Sequence, residues 1–554
     1  MAQPFASWLD DFFASYYRFR PVNATFIGIH DFDYALPDFS ARSVDMVRAE
    51  MASLLARLPE TLPATTDAEA IDRRLAEHYL QIQQWEFDSH HFQAGNPSLY
   101  TGEAIFGLFS LFLFPATPLD QRVEAAIARM AAIPALLAQG EENLRAAPPA
   151  WTLRAIRECE GARHFFRRGL DLLIAAEGIT DPRFRAAAET ARDAFAAYQH
   201  WLRHDLLTHP TNGYACGGEA FDRYLRIGHE LAMDGMAVDA YAREQFAASQ
   251  SALVAGAAQF GARDWQAALA GLTEMHPTSE AYYGRFQEVW DACRATAETH
   301  DLITWPDFPI HFVPRPAWAR ACAPYLYFLS YYSPAPYDHR PMHRYLVPPI
   351  EPSLPPDEQV RQLRAINESV IKLNHVIHHG SIGHHIQNWH APHAASRIGQ
   401  MAGTDTAARI AMFCAGTMIE GWASYVVDLM GEVGFLTPLE RYSQHYARLR
   451  ASARAIVDVN LHHGRLSFDD AVALYRDDVG MSMEAATGEA VKNSMFPGAA
   501  MMYLIGQEMI HDLRRELASR AGAAFSLRRF HDRFLSHGAI PVSLIAQAMR
   551  AEAQ

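Results

Sequence analysis

The spacing of apolar residues is helical along most of the chain, and this pattern constrains the fold more than any other feature. Residues 125–139 and 263–275 are examples, with apolar side chains recurring every three or four positions in sequence rich in Ala, Leu, Arg and Glu. Alternation of the kind typical of strands is scarce. The pattern predicts an all-α protein, and 554 residues are enough for a large helical body with a deep central cleft.

Residues 310–352 interrupt the helical pattern. This segment is rich in proline and aromatic residues, which favour extended and irregular backbone and allow a small β hairpin. We interpret it as a connector that runs along the cleft. It divides the chain into a predicted N-terminal helical lobe, residues 1–309, and a predicted metal-site lobe, residues 310–554, within one continuous domain.

The charge balance and the cysteines exclude several classes of protein. A formal net charge of −15 disfavours partners such as nucleic acid or anionic lipid, which need a concentrated basic surface. The first residues lack the pattern of a secretory signal, no apolar run approaches the length of a membrane span, and we therefore expect a cytoplasmic protein. The five cysteines are scattered singly, which argues against a disulfide framework or a thiolate zinc site.

Several helix boundaries can be predicted from local chemistry. The residues Pro355 to Glu358 form a helix start, and a buried stripe from Leu363 to Ile377 predicts one helix that ends at His378. Thr437 to Glu440 is a capping box with proline at the first helical position, and its helix should run to about Asn460. Further starts are predicted at Ser467 with Asp470, and after Pro497-Gly498.

A dense group of histidines is the strongest functional signal. Seven of the 27 histidines fall between His375 and His393, next to buried apolar residues. A polar surface stretch, or several core histidines with satisfied hydrogen bonds, is the alternative interpretation. Convergent neutral imidazoles are hard to bury without a metal, and they are good ligands for zinc, iron or copper. We therefore predict a metal site here.

The spacing within the group differs from that of an HExxH zinc helix, in which two histidines lie one turn apart. His378 and His384 are six residues apart, or about 9 Å along a straight helix, which is too far for one ion. Gly380 and Gly383 can break the helix and fold its second half back toward the first.

Segments across nearly the whole chain match the motifs of one bacterial family. The matches are His378 to Gln387 with HE-x-x-P-G-H-H-x-Q, Glu420 to Tyr425 with EGWALY, Arg454, Asp458 and His462 with R-x3-D-x3-H, Pro497, Gly498, Tyr503, Ile505 and Gly506 with PG-x4-Y-x-IG, and Pro21, Ala24, Thr25 and Gly28 with P-x-x-AT-x-x-G. The chain thus resembles a widespread bacterial family catalogued as a domain of unknown function. That family is related to zincin peptidases such as angiotensin-converting enzyme and thermostable carboxypeptidases.

The resemblance implies a helical fold with a deep channel and one zinc ion. Carried onto the matching positions, the ligands are His378, one of His384 or His385, and Glu420. Tyr503 and His462 become candidate donors to an oxyanion, and Arg454 a candidate partner for a carboxylate. A plain helix pair of Arg454 with Asp458, and a core position for Tyr503, are the structural alternatives.

One departure from the family pattern changes the expected chemistry. His379 stands where the family has glutamate, and Ile382 stands where it has proline. A carboxylate beside the metal is the usual proton acceptor in peptide hydrolysis, and imidazole is a different base. Three outcomes stay open: His379 acts as the base of another reaction, it becomes an additional ligand in a site that also suits iron or copper, or catalysis has been lost.

Three functions follow from these residues. The leading hypothesis is a metal-dependent enzyme that acts on a small amide or an amino-acid derivative, with an altered catalytic base at His379. The second is a metallopeptidase or carboxypeptidase with a short peptide as substrate. The third is a non-catalytic protein that binds a metabolite or peptide in the cleft. The oligomeric state is not predicted.

Overall fold

The computed structural model describes residues 3–320, 333–338, 340–404 and 415–553, and it is mainly helical, as predicted. The helices of the first half are α1 (Phe5–Phe19), α2 (Pro21–Ile27), α3 (Ala41–Arg57), α4 (Asp67–Glu86), α5 (Pro97–Leu113), α6 (Leu119–Asn143), α7 (Pro149–His164), α8 (Leu170–Glu177), α9 (Pro182–His204), α10 (Gly218–Arg223), α11 (Gly235–Gly256), α12 (Trp265–Ala270) and α13 (Tyr282–Thr299). Those of the second half are α14 (Ala317–Arg320), α15 (Pro356–Ala365), α16 (His384–His390), α17 (Arg397–Met401), α18 (Gly416–Glu432), α19 (Pro438–His462), α20 (Phe468–Ala473), α21 (Met483–Met495), α22 (Met502–Ala521), α23 (Leu527–Ser536) and α24 (Val542–Glu552).

Local capping chemistry sets the starts of two helices at the positions predicted. The Thr437 side chain accepts from the Glu440 N–H, and the Glu440 side chain accepts from the Thr437 N–H, which opens α19 with a complete capping box. Ser467 and Asp470 make the same pair of contacts at the start of α20. The helix predicted to reach about Asn460 ends two residues later, at His462.

Two short strands form a parallel sheet, so the predicted hairpin is wrong. Strand β1 (Ile310–Pro314) pairs with β2 (His343–Val347) in parallel, with Phe312 opposite Tyr345. Parallel strands cannot be joined by a tight turn, and here 28 residues separate them in the chain. Residues 321–332 and 339 of this connector lie outside the described part of the chain.

The apolar core is continuous across the predicted lobe boundary. The largest cluster of buried side chains contains Trp8, Phe109 and Trp290 from the first 309 residues, together with Ile377 and Trp422 from the remainder. Two smaller clusters lie under α11, α19 and α21. The division at residue 310 stays a prediction, and the residues of the predicted metal site lie against the largest cluster.

Within the described part of the chain, α6 is the longest apolar helix. It has an 18-residue window with mean hydropathy 1.2, enough by length and composition for a membrane span, although the sequence predicted no such segment. Half of that window is buried inside the protein, and core helices of soluble proteins pass the same test. Arg129, in the middle of α6, is fully buried and donates to backbone carbonyls of α2 and α5.

Three cysteines can be placed. Cys159 and Cys293 are buried free thiols, and Cys216 is a half-buried one. Cys322 and Cys414 lie outside the described residues.

Candidate metal centre

A wide π-helical turn, rather than an α-helix, presents the first two histidines. The helix predicted to run from Pro356 to His378 ends at Ala365, and Asn367 then accepts hydrogen bonds from the backbone N–H groups of Ser369 and Val370. This cap opens a π-helix, Val370–Gly380. Its wider turn brings adjacent side chains closer in direction than the about 100° step of an α-helix. His378 and His379 can therefore face the same side.

The chain folds back at Gly380 to Gly383, as the sequence predicted. The Gly383 N–H donates to the Ile377 carbonyl at 3.0 Å. A Cβ at Gly383 would lie 1.9 Å from the His378 carbonyl oxygen, so only glycine fits this contact. The indole N–H of Trp422 donates to the Ile382 carbonyl at 3.0 Å and holds the turn. His384 follows at once as the first residue of α16.

The turn brings three imidazoles to one point beside a carboxylate. His378, His379 and His384 each offer a nitrogen within 4.8 Å of the others. Glu420, on α18, places Oε2 at 3.3 Å from the Nε2 atom of His378 and 3.6 Å from that of His384. Imidazole nitrogens with one carboxylate oxygen are the donors that zinc and iron accept.

The electrostatics of the group favour a cation. Burial lowers the pKa of His378, and burial with the neighbouring imidazoles lowers the pKa of His379 well below the usual range, so both rings are neutral at pH 7. Burial alone raises the pKa of Glu420, but the imidazoles of His378 and His384 hold it well below its ordinary value. Among the described residues, Glu420 Oε2 is buried and accepts no hydrogen bond of good geometry. An anionic oxygen among neutral nitrogen donors is the environment that a metal ion satisfies.

The backbone fixes the orientation of His379. Its Nδ1 donates to the Asn374 carbonyl at 2.7 Å, which leaves the lone pair on Nε2. Its ring centroid lies 4.6 Å from that of His378 and 5.3 Å from that of His384. A ring held by a carbonyl in this way is typical of a metal ligand or of a positioned base.

His385 does not join the group, and the expected choice between the two histidines favours His384. The His385 ring stacks on Phe308 with centroids 4.7 Å apart, and its Nε2 donates to the Phe308 carbonyl at 2.6 Å. Adjacent residues of an α-helix diverge by about 100°, so His384 and His385 face different neighbours. His385 anchors α16 to the segment before β1.

A close helix crossing brings Tyr503 to the site. A Cβ on Gly421 of α18 would lie 2.5 Å from the Gly506 carbonyl carbon on α22, so both positions need glycine for the backbones to meet. The Tyr503 hydroxyl then donates to Glu420 Oε1 at 3.1 Å. Tyr503 therefore orients the carboxylate, and the alternative of a plain core tyrosine is not supported.

Arg454 is engaged elsewhere, which corrects its expected role as a carboxylate binder. Its Nε donates to Glu489 Oε2 on α21 at 2.8 Å, and a second bond makes the pair bidentate. The guanidinium lies 5.0 Å from the centroid of the Tyr503 ring. Arg454 thus packs against the ring of Tyr503. The alternative considered from the sequence, an ion pair between Arg454 and Asp458 on one helix, is not found among the described residues.

His462 and Asp458 are structural, which corrects the donor role expected of His462. The His462 ring is fully buried, its Nε2 donates to the Asn493 carbonyl at 3.0 Å, and its Nδ1 accepts from the Cys216 N–H. It has no donor left for an oxyanion. Asp458 accepts from the N–H groups of Gly498, Ala500 and Met501, and so holds the turn that begins α22.

Sequence reasoning missed three supporting residues. The Tyr345 hydroxyl lies 2.6 Å from His375 Nδ1 and its ring lies 6.3 Å from that of His379, so β2 backs the π-helix. Trp422 could have been identified, because it follows Glu420 and Gly421 in a matched motif. The backbone carbonyl of Asn374 and the position of Tyr345 have no signal in the sequence.

Comparison with known proteins gives a family and a fold. A family model described as "Bacterial protein of unknown function (DUF885)" matches residues 21–549. No curated protein is significantly similar to the chain. A solved structure from Shewanella oneidensis, described as "a putative lipoprotein of unknown function", is similar with TM-score 0.79 and 21% identity, over 99% of this chain and 100% of that one. A second, "the putative lipoprotein from Colwellia psychrerythraea", has TM-score 0.77 and 16% identity over 100% of both chains.

Proposed function

The chain belongs to the bacterial family of unknown function DUF885, and we propose from its own residues that it is a metal-dependent enzyme acting on a small amide or an amino-acid derivative. The observation that carries the proposal is the convergence of His378 Nε2, His384 Nε2 and Glu420 Oε2, at 3.3 and 3.6 Å between carboxylate and imidazoles. No hydrogen bond of good geometry reaches the buried Glu420 Oε2 from the described residues, which suits a cation.

The first part of the proposal is the identity of the metal and its ligands. His378, His384 and Glu420 hold one divalent ion, zinc first, with iron or copper as alternatives. Two histidines and a glutamate from a later helix form the ligand set of zincin peptidases. We therefore also propose that the protein is related to the zincins. When bound, such an ion polarises a substrate carbonyl and activates water.

The second part assigns roles to the surrounding side chains. Tyr503 orients Glu420 through the hydrogen bond to Oε1, and Arg454 with Glu489 fixes the Tyr503 ring. His379 is held by the Asn374 carbonyl through Nδ1, and it offers a nitrogen within 4.8 Å of those of His378 and His384. There it accepts a proton in the reaction, in place of the glutamate of the family motif.

Metal analysis of the purified protein tests the site. We expect about one equivalent of metal, lost in His378→Ala and in Glu420→Ala. His393→Ala is the matched control, because His393 is an exposed histidine of the same segment whose Nδ1 donates to the Trp389 carbonyl. Normal metal content in both site variants would remove the assignment.

A second experiment separates the small-molecule enzyme from a peptidase. The protein is assayed on a panel of N-acyl amino acids and amides, and on a peptide library, each with and without a chelator. Chelator-sensitive turnover of the small amides supports the proposal. Peptide cleavage by the parent protein would favour a metallopeptidase, and ligand binding without metal or turnover would favour a binding protein.

The His379→Glu variant tests the altered base directly. Restoring the carboxylate of the family motif should create chelator-sensitive peptidase activity that the parent lacks. His379→Gln should lose turnover and keep the metal. Loss of the metal in His379→Gln would instead make His379 a ligand.

We keep the cytoplasm as the proposed location. The two structural neighbours are described as putative lipoproteins, a property of those proteins. Fractionation of cells that express the full natural gene distinguishes a cytoplasmic protein from a membrane-attached lipoprotein.

A further inference from the structure

A cavity of about 610 Å³ opens where the two parallel strands end. Arg315 follows β1 directly, and Pro348 to Glu351 follow β2. Helix α14, the end of α15 and the π-helical turn Phe165–Gly169 complete the walls. The volume lies within the range of small-molecule sites, which is about 300–1,000 Å³.

The polar part of the wall carries surplus positive charge. Arg168, Arg315 and Arg320 line the cavity, and Glu351 is the one carboxylate among the described lining residues. The Glu351 carboxylate forms an ion pair with Arg320, at 2.7 Å. Arg168 is exposed and forms no ion pair with any described residue.

Arg315 places a cation deep in the cavity. It is only 9% exposed, and burial lowers its pKa, so an anion bound in the cavity would stabilise its charged form. The positive charge of Arg315 also lowers the pKa of His375, for which burial is the larger cause. The described lining also includes the polar side chains of His164 and Gln362, and its apolar part is formed by Leu172, Ile350 and Ile366 with Pro348 and Pro349.

We propose that this cavity binds an organic carboxylate with an apolar body. Arg315 and Arg168 contact the carboxylate, because guanidinium groups bind it with charge-assisted hydrogen bonds. The aliphatic and proline walls cover the apolar body. The site is distinct from the metal centre, because none of its lining residues belongs to the group of His378, His379, His384 and Glu420.

Equilibrium dialysis of the full chain with decanoate and decanol tests the pocket. The two probes share an apolar body and differ in the anionic head. Decanoate should bind at least about tenfold more tightly, the effect of one charge-assisted contact. Decyl phosphate is the third probe, and tighter binding of it than of decanoate would overturn the choice of a carboxylate.

Variants locate the binding. Arg168→Glu should weaken decanoate about tenfold, and Arg315→Met at least as much. Arg167→Glu is the matched control, an exposed neighbour of Arg168 outside the lining, and it should leave binding unchanged. Arg168 is on the surface, so its variant keeps the test valid if Arg315→Met fails to fold.

Two results would overturn the inference. One is equal binding of decanol and decanoate. The other is decanoate binding that is lost in His378→Ala and unaffected by Arg168→Glu, which would place the carboxylate at the metal centre. Neither result affects the metal analysis, so failure of this pocket and failure of the proposed function are distinguishable.

Discussion

Replacing Gly421 by alanine should force α18 and α22 apart at the proposed metal centre. The new Cβ would lie 2.5 Å from the carbonyl carbon of Gly506 and 2.7 Å from its Cα. Carbon atoms in good contact are about 3.5–4.0 Å apart. The obstacle is backbone, so no side chain can turn aside, and the helices must separate by about 1 Å.

The magnitude follows from two consequences of that separation. Overpacking of this kind costs about 1–3 kcal/mol. With an unfolding entropy of about 2 cal/mol/K per residue, a chain of 554 residues loses about 1 °C of Tm per kcal/mol, so Tm should fall by about 1–3 °C. The Tyr503 to Glu420 bond, now 3.1 Å, would lengthen to about 4 Å and be lost. Loss of such a supporting contact weakens metal binding about 10–100-fold.

Gly431→Ala on the same helix provides the control. A Cβ there meets its nearest atom, in the Leu436 side chain, at the ordinary distance of 3.4 Å. Alanine stabilises a helix by about 0.5–1 kcal/mol relative to glycine, so Tm should rise by up to about 1 °C. Scanning calorimetry and competition with a chromogenic chelator measure the two effects. If Gly421→Ala keeps the parent Tm and metal affinity, the helix crossing does not support the site.

Three further predictions concern single residues. His384→Gln should lose bound metal at least about tenfold, whereas His385→Gln should keep it and lose only stability, as read by metal analysis and Tm. Asp458→Asn should lower Tm by about 1–3 °C, because an amide cannot accept from all three backbone N–H groups that the carboxylate satisfies. His30 forms hydrogen bonds with two aspartates, Asp33 and Asp338. These hydrogen bonds are the main cause that raises its pKa from 6.5 to about 9. Its stabilisation is complete below pH 6.5 and is lost as the pH rises through about 9, so His30→Gln should lower Tm more at pH 6 than at pH 10.

Features set by neighbouring residues could be predicted from the sequence. The capping boxes at Thr437 and Ser467 lie where expected, since each needs only four consecutive residues. The reversal at Gly383 was predictable for the same reason, because glycine permits a backbone contact that any Cβ would block.

Features that depend on distant elements could not be predicted. The spacing of Arg454 and Asp458 correctly placed both on one helix. However, the Arg454 guanidinium donates to Glu489 of α21, and the Asp458 carboxylate accepts from backbone N–H groups of the turn before α22. The apolar residues of the π-helix have the spacing of an α-helix, so the sequence predicted one continuous α-helix there. In the structure, Asn367 instead caps a separate π-helix. Side-chain identity indicated the participants, and tertiary contacts decided their partners.

In the metal centre that we propose, the histidine at position 379 changes the net charge as well as the base. A site with two neutral imidazoles and two glutamates neutralises a divalent ion, whereas His379 with the single carboxylate of Glu420 leaves one positive charge. In a partly buried site that charge interacts strongly with a nearby anion. The Arg315 cavity carries surplus charge of the same sign. Both features favour an anionic ligand, so His379→Glu should weaken binding of carboxylates at the centre while leaving decanoate binding in the cavity unchanged.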